Sequence, residues 1–248
     1  MTTTPTTPRL FLQSVAFALF AAIIYFLINR FTGDKPGVYL VTFFDHSIPF
    51  TPSAVFGYAL GFTFIFIPVL FFQHSAFLKK VLWGFILCTA LAAVLYFVFP
   101  SRLPRHGVPT QEKFFYWCVA LIYTLDRPVA AMPSLLALYG FLSAWTILPL
   151  SRRIGWGILA AGVIFSAAAV ALRQQLTAHI LLAALVAYAV FLGIIKPTLA
   201  INKKAIKESA VPLLTVGKRL ALFYGIIILA AYLLFIIGVR FPLALPEN

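Results

Sequence analysis

Charge is what this chain has least of. Charged residues make up 10% of its 248 positions, against about 25% in an ordinary soluble domain. With a hydrophobic content of 62%, that scarcity excludes a soluble globular domain. Acidic residues are scarcer still, 6 against 19 lysines and arginines, for a net charge of +13. In so apolar a chain the surplus belongs to basic loops lying against anionic lipid headgroups. Nucleic-acid binding is set aside, because no basic cluster is interleaved with aromatics in a soluble domain. Cysteine is nearly missing. Cys88 and Cys118 share no metal-ligand or redox spacing, so they support neither a disulfide framework nor a zinc site. No metal and no cofactor is expected. Short alternating strands are absent as well, which argues against an outer-membrane barrel.

What the chain does have is continuous apolar runs, most of them close to the roughly 18–22 residues that cross a bilayer. Seven can be drawn: Leu10–Ile28, Ala54–Phe72, Val81–Phe99, Pro133–Leu148, Ile154–Ala171, His179–Ile195 and Leu220–Val239. In lipid each segment must satisfy its own backbone polar groups, so the runs are helices. The expected fold is all-α, a polytopic membrane helical bundle. One transmembrane domain spans 10–240, between a disordered Thr/Pro tail at 1–9 and a C-terminal tail at 241–248. The run after Arg9 is too long for a signal-peptide core, and no small-residue cleavage site follows it. It reads as an uncleaved first span.

Lysine and arginine counts orient the bundle. With the N-terminus inside, Lys79, Lys80, Arg152, Arg153 and the dense stretch Lys196–Arg219 fall on the cytoplasmic side. The expectation is a multi-pass protein of a bacterial-type inner (plasma) membrane. Pro100–Pro133 and Arg173–His179 then share the outer face. Val41–Pro52 and the aromatic stretch Phe114–Asp126 read as anchors at headgroup level. Gly57 and Gly61 have dimer-motif spacing but read as packing positions within the bundle.

The polar island Arg173-Gln174-Gln175-Leu176-Thr177-Ala178-His179 interrupts two long apolar runs. Arginine supplies paired donors that match phosphate geometry. A helix N-terminus adds free N–H groups and a positive dipole end. Pro133 suits the first helical position, and Ser134 beside it adds a hydroxyl donor. His179 can attack phosphorus if a partner holds its tautomer.

Four stretches together resemble the phosphatidic acid phosphatase type 2 superfamily, in the branch related to inositol phosphorylceramide synthase. They are Asp45-His46-Ser47-Ile48-Pro49-Phe50-Thr51-Pro52, then Phe99-Pro100-Ser101-Arg102-Leu103-Pro104-Arg105, then Leu125-Asp126-Arg127-Pro128 followed by Pro133-Ser134-Leu135-Leu136, and last Arg173 through His179 to Ala183. The resemblance implies a six-helix phosphatase-like core, here with one additional span, and an extracytoplasmic site. It implies a nucleophile-like role for His179 and phosphate binding by Arg173, Ser134, Arg127 and Arg105.

Two positions depart from the family's pattern. Leu136 stands where the resemblance implies a general-acid histidine, and Ala183 where it implies the aspartate that orients the nucleophile. General acid catalysis is worth about 10²–10⁴ in rate. Loss of the carboxylate orienting a catalytic histidine costs about 10⁴ in analogous triads. His106 and His46 are the candidate substitutes for acid or orienter. Two functions stay open. One is a pseudoenzyme that holds a phospholipid or other lipid phosphate with weak or no catalysis. The other is an active phosphatase or phosphotransferase using His179. A transporter is the third and weakest reading, because the spans lack buried ionisable residues. A homo-oligomer or a further membrane partner fits any of them.

Overall fold

The computed structural model describes residues 7–32, 37–105, 110–129 and 132–241. Residues 1–6 and 242–248 of the expected tails lie outside the described residues, as does His106. Apart from isolated bridges such as Val38 to Ser101 and Arg102 to Val129, the described residues form no strand.

Among the described residues, five helices are long and apolar enough to cross a membrane. The first is α1 (Thr7–Thr32). After the short α2 (Phe43–Ser47) comes a broken segment holding α3 (Val55–Ala59) and α4 (Ile67–Phe71), then the long α5 (Ser75–Val98). Next are α6 (Phe114–Leu125), α7 (Leu135–Ile147), α8 (Arg152–Ala171) and α9 (Thr177–Val190). A π-helical turn at Phe191–Ile195 carries α9 directly into α10 (Lys196–Glu208), and α11 (Leu213–Ile236) closes the chain. Five of the seven expected spans therefore correspond to membrane-length helices.

The second expected span, Ala54–Phe72, is interrupted. Turns of 3-10 helix at Pro52–Ala54 and Leu60–Thr63 flank α3, and α4 begins only at Ile67. Pro68 is the cause. It has no N–H for the Phe64 carbonyl, and its ring crowds that carbonyl. The Phe64 carbonyl accepts instead from the Ile67 N–H at 3.3 Å and from the Ser143 hydroxyl on α7 at 2.7 Å. An interrupted helix is tolerated in a membrane when a neighbouring helix satisfies it in this way.

The fourth expected span is also short. Thirteen residues reach only about 20 Å, less than the roughly 30 Å hydrocarbon core. This helix is the centre of the bundle, with Leu138, Leu142 and Ile147 fully buried among α5, α8 and α9. The sixth runs past its expected end. Thr177–Glu208 is one continuous 32-residue helix of about 48 Å, and Leu199 and Ile206 keep its lysine-rich half packed on the core.

Gly57 and Gly61 are packing positions. A Cβ at Gly57 would stand 2.9 Å from the Ala168 Cβ, and one at Gly61 would stand 2.5 Å from the Phe165 ring. Both face α8. α6 is packed into the bundle, with Trp117, Val119 and Ala120 buried. The Trp117 indole donates to the Val239 carbonyl at 2.7 Å, and the Phe114 and Trp117 rings lie against Phe235 of α11. Aromatic residues look alike in sequence whether they face headgroups or another helix. In α2, by contrast, Phe43 and Phe44 are exposed while Asp45 between them and the bundle is buried.

The helix ends sort into two groups. Tyr25 near the end of α1, Tyr96 near the end of α5, the end of α6 and the starts of α7 and α9 meet at one end of the bundle, joined by the hydrogen bonds described below. The start of α5, with Lys79 and Lys80, the start of α8, with Arg152 and Arg153, and lysine-rich α10 lie towards the other.

Candidate functional site

The site is built on the turn between α8 and α9. α8 ends in a Schellman motif: the Arg173 N–H donates to the Val170 carbonyl at 2.9 Å, and the Gln174 N–H donates to the Ala169 carbonyl at 2.8 Å. Arg173 holds the left-handed position of this motif, with φ +54°. Glycine is the usual occupant, because it alone carries no Cβ penalty there. The Tyr123 hydroxyl secures the preceding Leu172 carbonyl at 2.8 Å.

The Arg173 guanidinium reaches across to the α2 loop. Nη1 donates to the Asp45 carbonyl oxygen at 2.6 Å and Nη2 to that of Ile48 at 3.1 Å. Asp45 completes the clamp in the other direction. Its Oδ1 accepts from the Thr177 N–H at 2.7 Å and the Thr177 hydroxyl at 2.8 Å. Its Oδ2 accepts from the Thr42 N–H at 2.6 Å and the Thr42 hydroxyl at 2.7 Å. Asp45 thus caps the N-terminus of α9 from another part of the chain, where a carboxylate also meets the positive end of the helix dipole. Burial alone would raise its pKa. The hydrogen bonds from Thr177 and Thr42 outweigh burial and hold it below the ordinary carboxylate value.

His179 and Ser134 come together here. The Ser134 N–H donates to the His179 carbonyl oxygen at 3.2 Å, so the starts of α7 and α9 are adjacent. Both side chains are buried. The His179 Nδ1 accepts from the Leu176 N–H at 3.5 Å, a long contact. A nitrogen that accepts carries no proton, so this contact favours the tautomer with its proton on Nε2. In that form Nε2 is a donor. Ala183, one turn on, is fully buried and offers no acceptor to reverse the tautomer. Leu136 lies beside Gly61, 3.1 Å from where a Cβ would stand there. Pro133 is not the first residue of its helix as expected. α7 begins at Leu135 with Ser134 as its N-cap, and the Pro133 carbonyl accepts instead from the Tyr96 hydroxyl at 2.5 Å.

Arg105 joins the cluster from the loop after α5. Its Nη1 bonds the Asp126 carbonyl oxygen, and Nη2 contacts the Asp126 carboxylate at 3.3 Å and the Gln174 side-chain oxygen at 2.7 Å. The guanidinium also stands 4.6 Å from the centre of the Tyr123 ring, within cation–π range. Burial raises the Asp126 pKa, against the opposing pull of Arg105 and of hydrogen bonds from Tyr25 and Arg105. From α1, the Tyr25 hydroxyl donates to Asp126 at 2.6 Å, and the Asn29 amide donates to the carbonyl oxygens of Arg127 and Val129.

Arg127 is not part of this cluster. Its side chain is exposed, and its backbone N–H donates to the Asn29 side chain. His46 is exposed on α2, and His106 lies outside the described residues. Tyr25, Asn29, Gln174 and Asp126 were given no role by sequence reasoning. One signal was available: Tyr25 and Asn29 lie four residues apart, on one face of α1, after the apolar stretch Val15–Ile24. Polar groups so placed turn inward.

Several buried polar atoms at and around this turn find no partner among the described residues: the Ser134 hydroxyl, His179 Nε2, Gln174 Nε2 and the Nε atoms of Arg105 and Arg173, together with one acceptor, Gln175 Oε1. Such groups normally cost about 1–3 kcal/mol each, and native interiors hold few of them. The donors among them suit an anion with several acceptor oxygens, and Gln175 Oε1 suits a hydroxyl. No group of three or more His, Cys, Asp or Glu is assembled among the described residues. No family model, curated protein or solved structure matches the chain.

Proposed function

We propose that this multi-pass membrane protein holds the phosphate of a lipid phosphate ester at the turn Leu172–His179, as a non-catalytic relative of the phosphatidic acid phosphatase type 2 superfamily. The observation that carries the reading is the set of buried, unpartnered donors contributed by Ser134, His179, Gln174, Arg105 and Arg173. A phosphate monoester offers enough acceptor oxygens to meet several of them at once, and charge-assisted bonds of this kind are the strong ones. The basic opposite end of the bundle supports an extracytoplasmic location by the positive-inside rule.

The same geometry argues against turnover. A phosphohistidine mechanism needs an unprotonated nitrogen aimed at phosphorus. Ala183 offers no carboxylate to hold the Nδ1 proton and leave Nε2 free to attack. All four hydrogen bonds at the Asp45 carboxylate go to Thr42 and Thr177, so it does not replace the carboxylate that Ala183 lacks. Leu136 has no proton to give a leaving alkoxide. His179 acts as a hydrogen-bond donor in this reading, not as a nucleophile.

The test uses purified full-length protein in nanodiscs and two short-chain ligands, dioctanoyl phosphatidic acid and dioctanoylglycerol. The phosphate ester should bind and the neutral lipid should not, with no phosphate released. Ser134→Ala removes one bond to a charged group, worth about 1.5–3 kcal/mol, so affinity should fall at least about tenfold. Equal binding of both lipids would defeat the phosphate assignment. Turnover that disappears in His179→Ala would defeat the non-catalytic one.

A further inference from the structure

A cavity of about 260 Å³ opens beside the polar cluster, between α1 on one side and the broken α3–α4 segment with α6 and α7 on the other. It is small beside the roughly 300–1,000 Å³ of common ligand pockets, so it suits part of a lipid and not a whole one. Its lining changes character along its length. Ser134, Gln175 and Asp126 line it where it meets the polar turn. Beyond them the lining includes Leu136, Tyr139 and Phe165. Among its other lining residues, Ala22, Phe26, Phe62 and Leu125 are exposed on the surface of the bundle. A mouth lined by such residues faces hydrocarbon in a membrane, not water.

Two independent features make this a built site and not a packing gap. First, Ala18 and Ala22 stand four residues apart on one face of α1, where larger side chains would close the space. Second, the Ser134 hydroxyl, in a residue only 1% exposed, has no partner among the described residues, and Ser134 lines the cavity. Polar groups at Ser134, Gln175 and Asp126, beside a remainder made of alanine, leucine, isoleucine and aromatic side chains, match an amphiphile.

We infer that the cavity takes the first part of one hydrocarbon chain of the bound lipid, entering sideways from the bilayer between Phe26 and Phe62, with the lipid's polar head at Ser134. This rests on the lipid-phosphate reading above and adds to it the position of the chain. Leu136 gives the inference its particular form. It lines the cavity at the position where the family resemblance implies a general acid. An apolar wall there accepts methylene groups, so the departure from the family pattern is a gain of hydrocarbon surface as well as a loss of acid chemistry.

The experiment is photolabelling of the full chain in nanodiscs with two single-chain lipids carrying a mid-chain diazirine, a lysophosphatidic acid and a monoacylglycerol. Binding of water-soluble glycerol 3-phosphate is measured in parallel. Lysophosphatidic acid should label the cavity-facing peptides containing Ala22, Phe62 and Leu136. Ala22→Phe should cut that labelling about tenfold while leaving glycerol 3-phosphate binding unchanged, and Ala18→Leu should repeat the result from deeper in the cavity. Labelling confined to the outward residues Leu19 and Ile23, or labelling of the cavity unchanged in both variants, would overturn the inference. Cavity labelling by the neutral lipid without binding of either phosphate ligand would leave the chain pocket standing and overturn the phosphate reading.

Discussion

Asp45→Asn tests the part of the site on which the rest depends. The carboxylate accepts four hydrogen bonds, two from Thr42 and two from Thr177. Asparagine keeps one acceptor oxygen and turns an NH₂ towards the other pair of donors. Two bonds to a charged group are lost, at about 1.5–3 kcal/mol each. Loss of the charge at the start of α9 adds about 0.3–1 kcal/mol. The sum is about 3–7 kcal/mol, and at roughly 2–4 °C per kcal/mol for a chain of this size the unfolding midpoint should fall by about 15 °C, and by no less than about 7 °C. Cys88 and Cys118 are both buried, so a thiol-reactive dye in detergent reads unfolding directly. The pH dependence supplies the second half of the test. Because the folded-state pKa of Asp45 is lowered, its contribution is fully present above the unfolded value of about 3.9. It is lost as pH falls through the lower folded value. The gap between wild type and Asp45→Asn should therefore hold from pH 8 to pH 5 and close at more acid pH. A variant melting within about 2 °C of wild type at pH 7 would refute the capping role.

Arg173→Gly separates backbone strain from side-chain clamping. Glycine relieves the left-handed position by up to about 1 kcal/mol but removes the bonds to Asp45 and Ile48, so a net loss of about 2–5 kcal/mol is expected; a variant more stable than wild type in the same dye assay would contradict the clamp. Gly61→Leu should cost at least about 1–3 kcal/mol through overpacking against Phe165, whereas Gly217→Ala, which meets nothing within 4 Å, should be near neutral; similar midpoints for the two would contradict the close approach of α8. For orientation, Thr110→Cys should react with an impermeant thiol reagent in intact cells and Lys204→Cys should not, and the reverse pattern would turn the site to the cytoplasm.

Hydropathy revealed the membrane class and the positions of α1, α5, α8, α9 and α11, because lipid-facing helices must be apolar over a bilayer's length. It could not reveal that Ala54–Phe72 is interrupted. An average over the run is blind to whether Phe64 keeps its hydrogen bond, and that depends on Pro68 and on Ser143 some 80 positions away. Nor could it separate α6 from a headgroup anchor, since the interior of the bundle is as apolar as lipid. The proximity of Ser134 and His179 was legible from two polar motifs at the starts of apolar runs. The duties of Arg173 were not: its partners lie in α2, more than 120 positions earlier. Spacing identifies a phosphate-competent side chain but not what already occupies its donors.

Arg173 explains how so short a turn can hold a defined arrangement of donors. A non-glycine residue in the left-handed region persists only where its surroundings over-determine it. Here three constraints converge on one link. The Schellman bonds fix the end of α8. The Arg173 guanidinium fixes α2 against that end. Asp45, carried by α2, then fixes the first residue of α9. The chain of contacts closes on itself, so neither helix end can shift without breaking bonds at the other. Gln174, Gln175 and His179 lie within or beside that closed loop, and Ser134 is tied to it through the His179 carbonyl. Donors held this way need little reordering when an anion arrives, which is how fixed dipoles gain affinity in a low-dielectric site. The strain at Arg173 is thus the local cost of a side chain that no glycine could supply, and it falls where rigidity matters most to the proposed lipid phosphate.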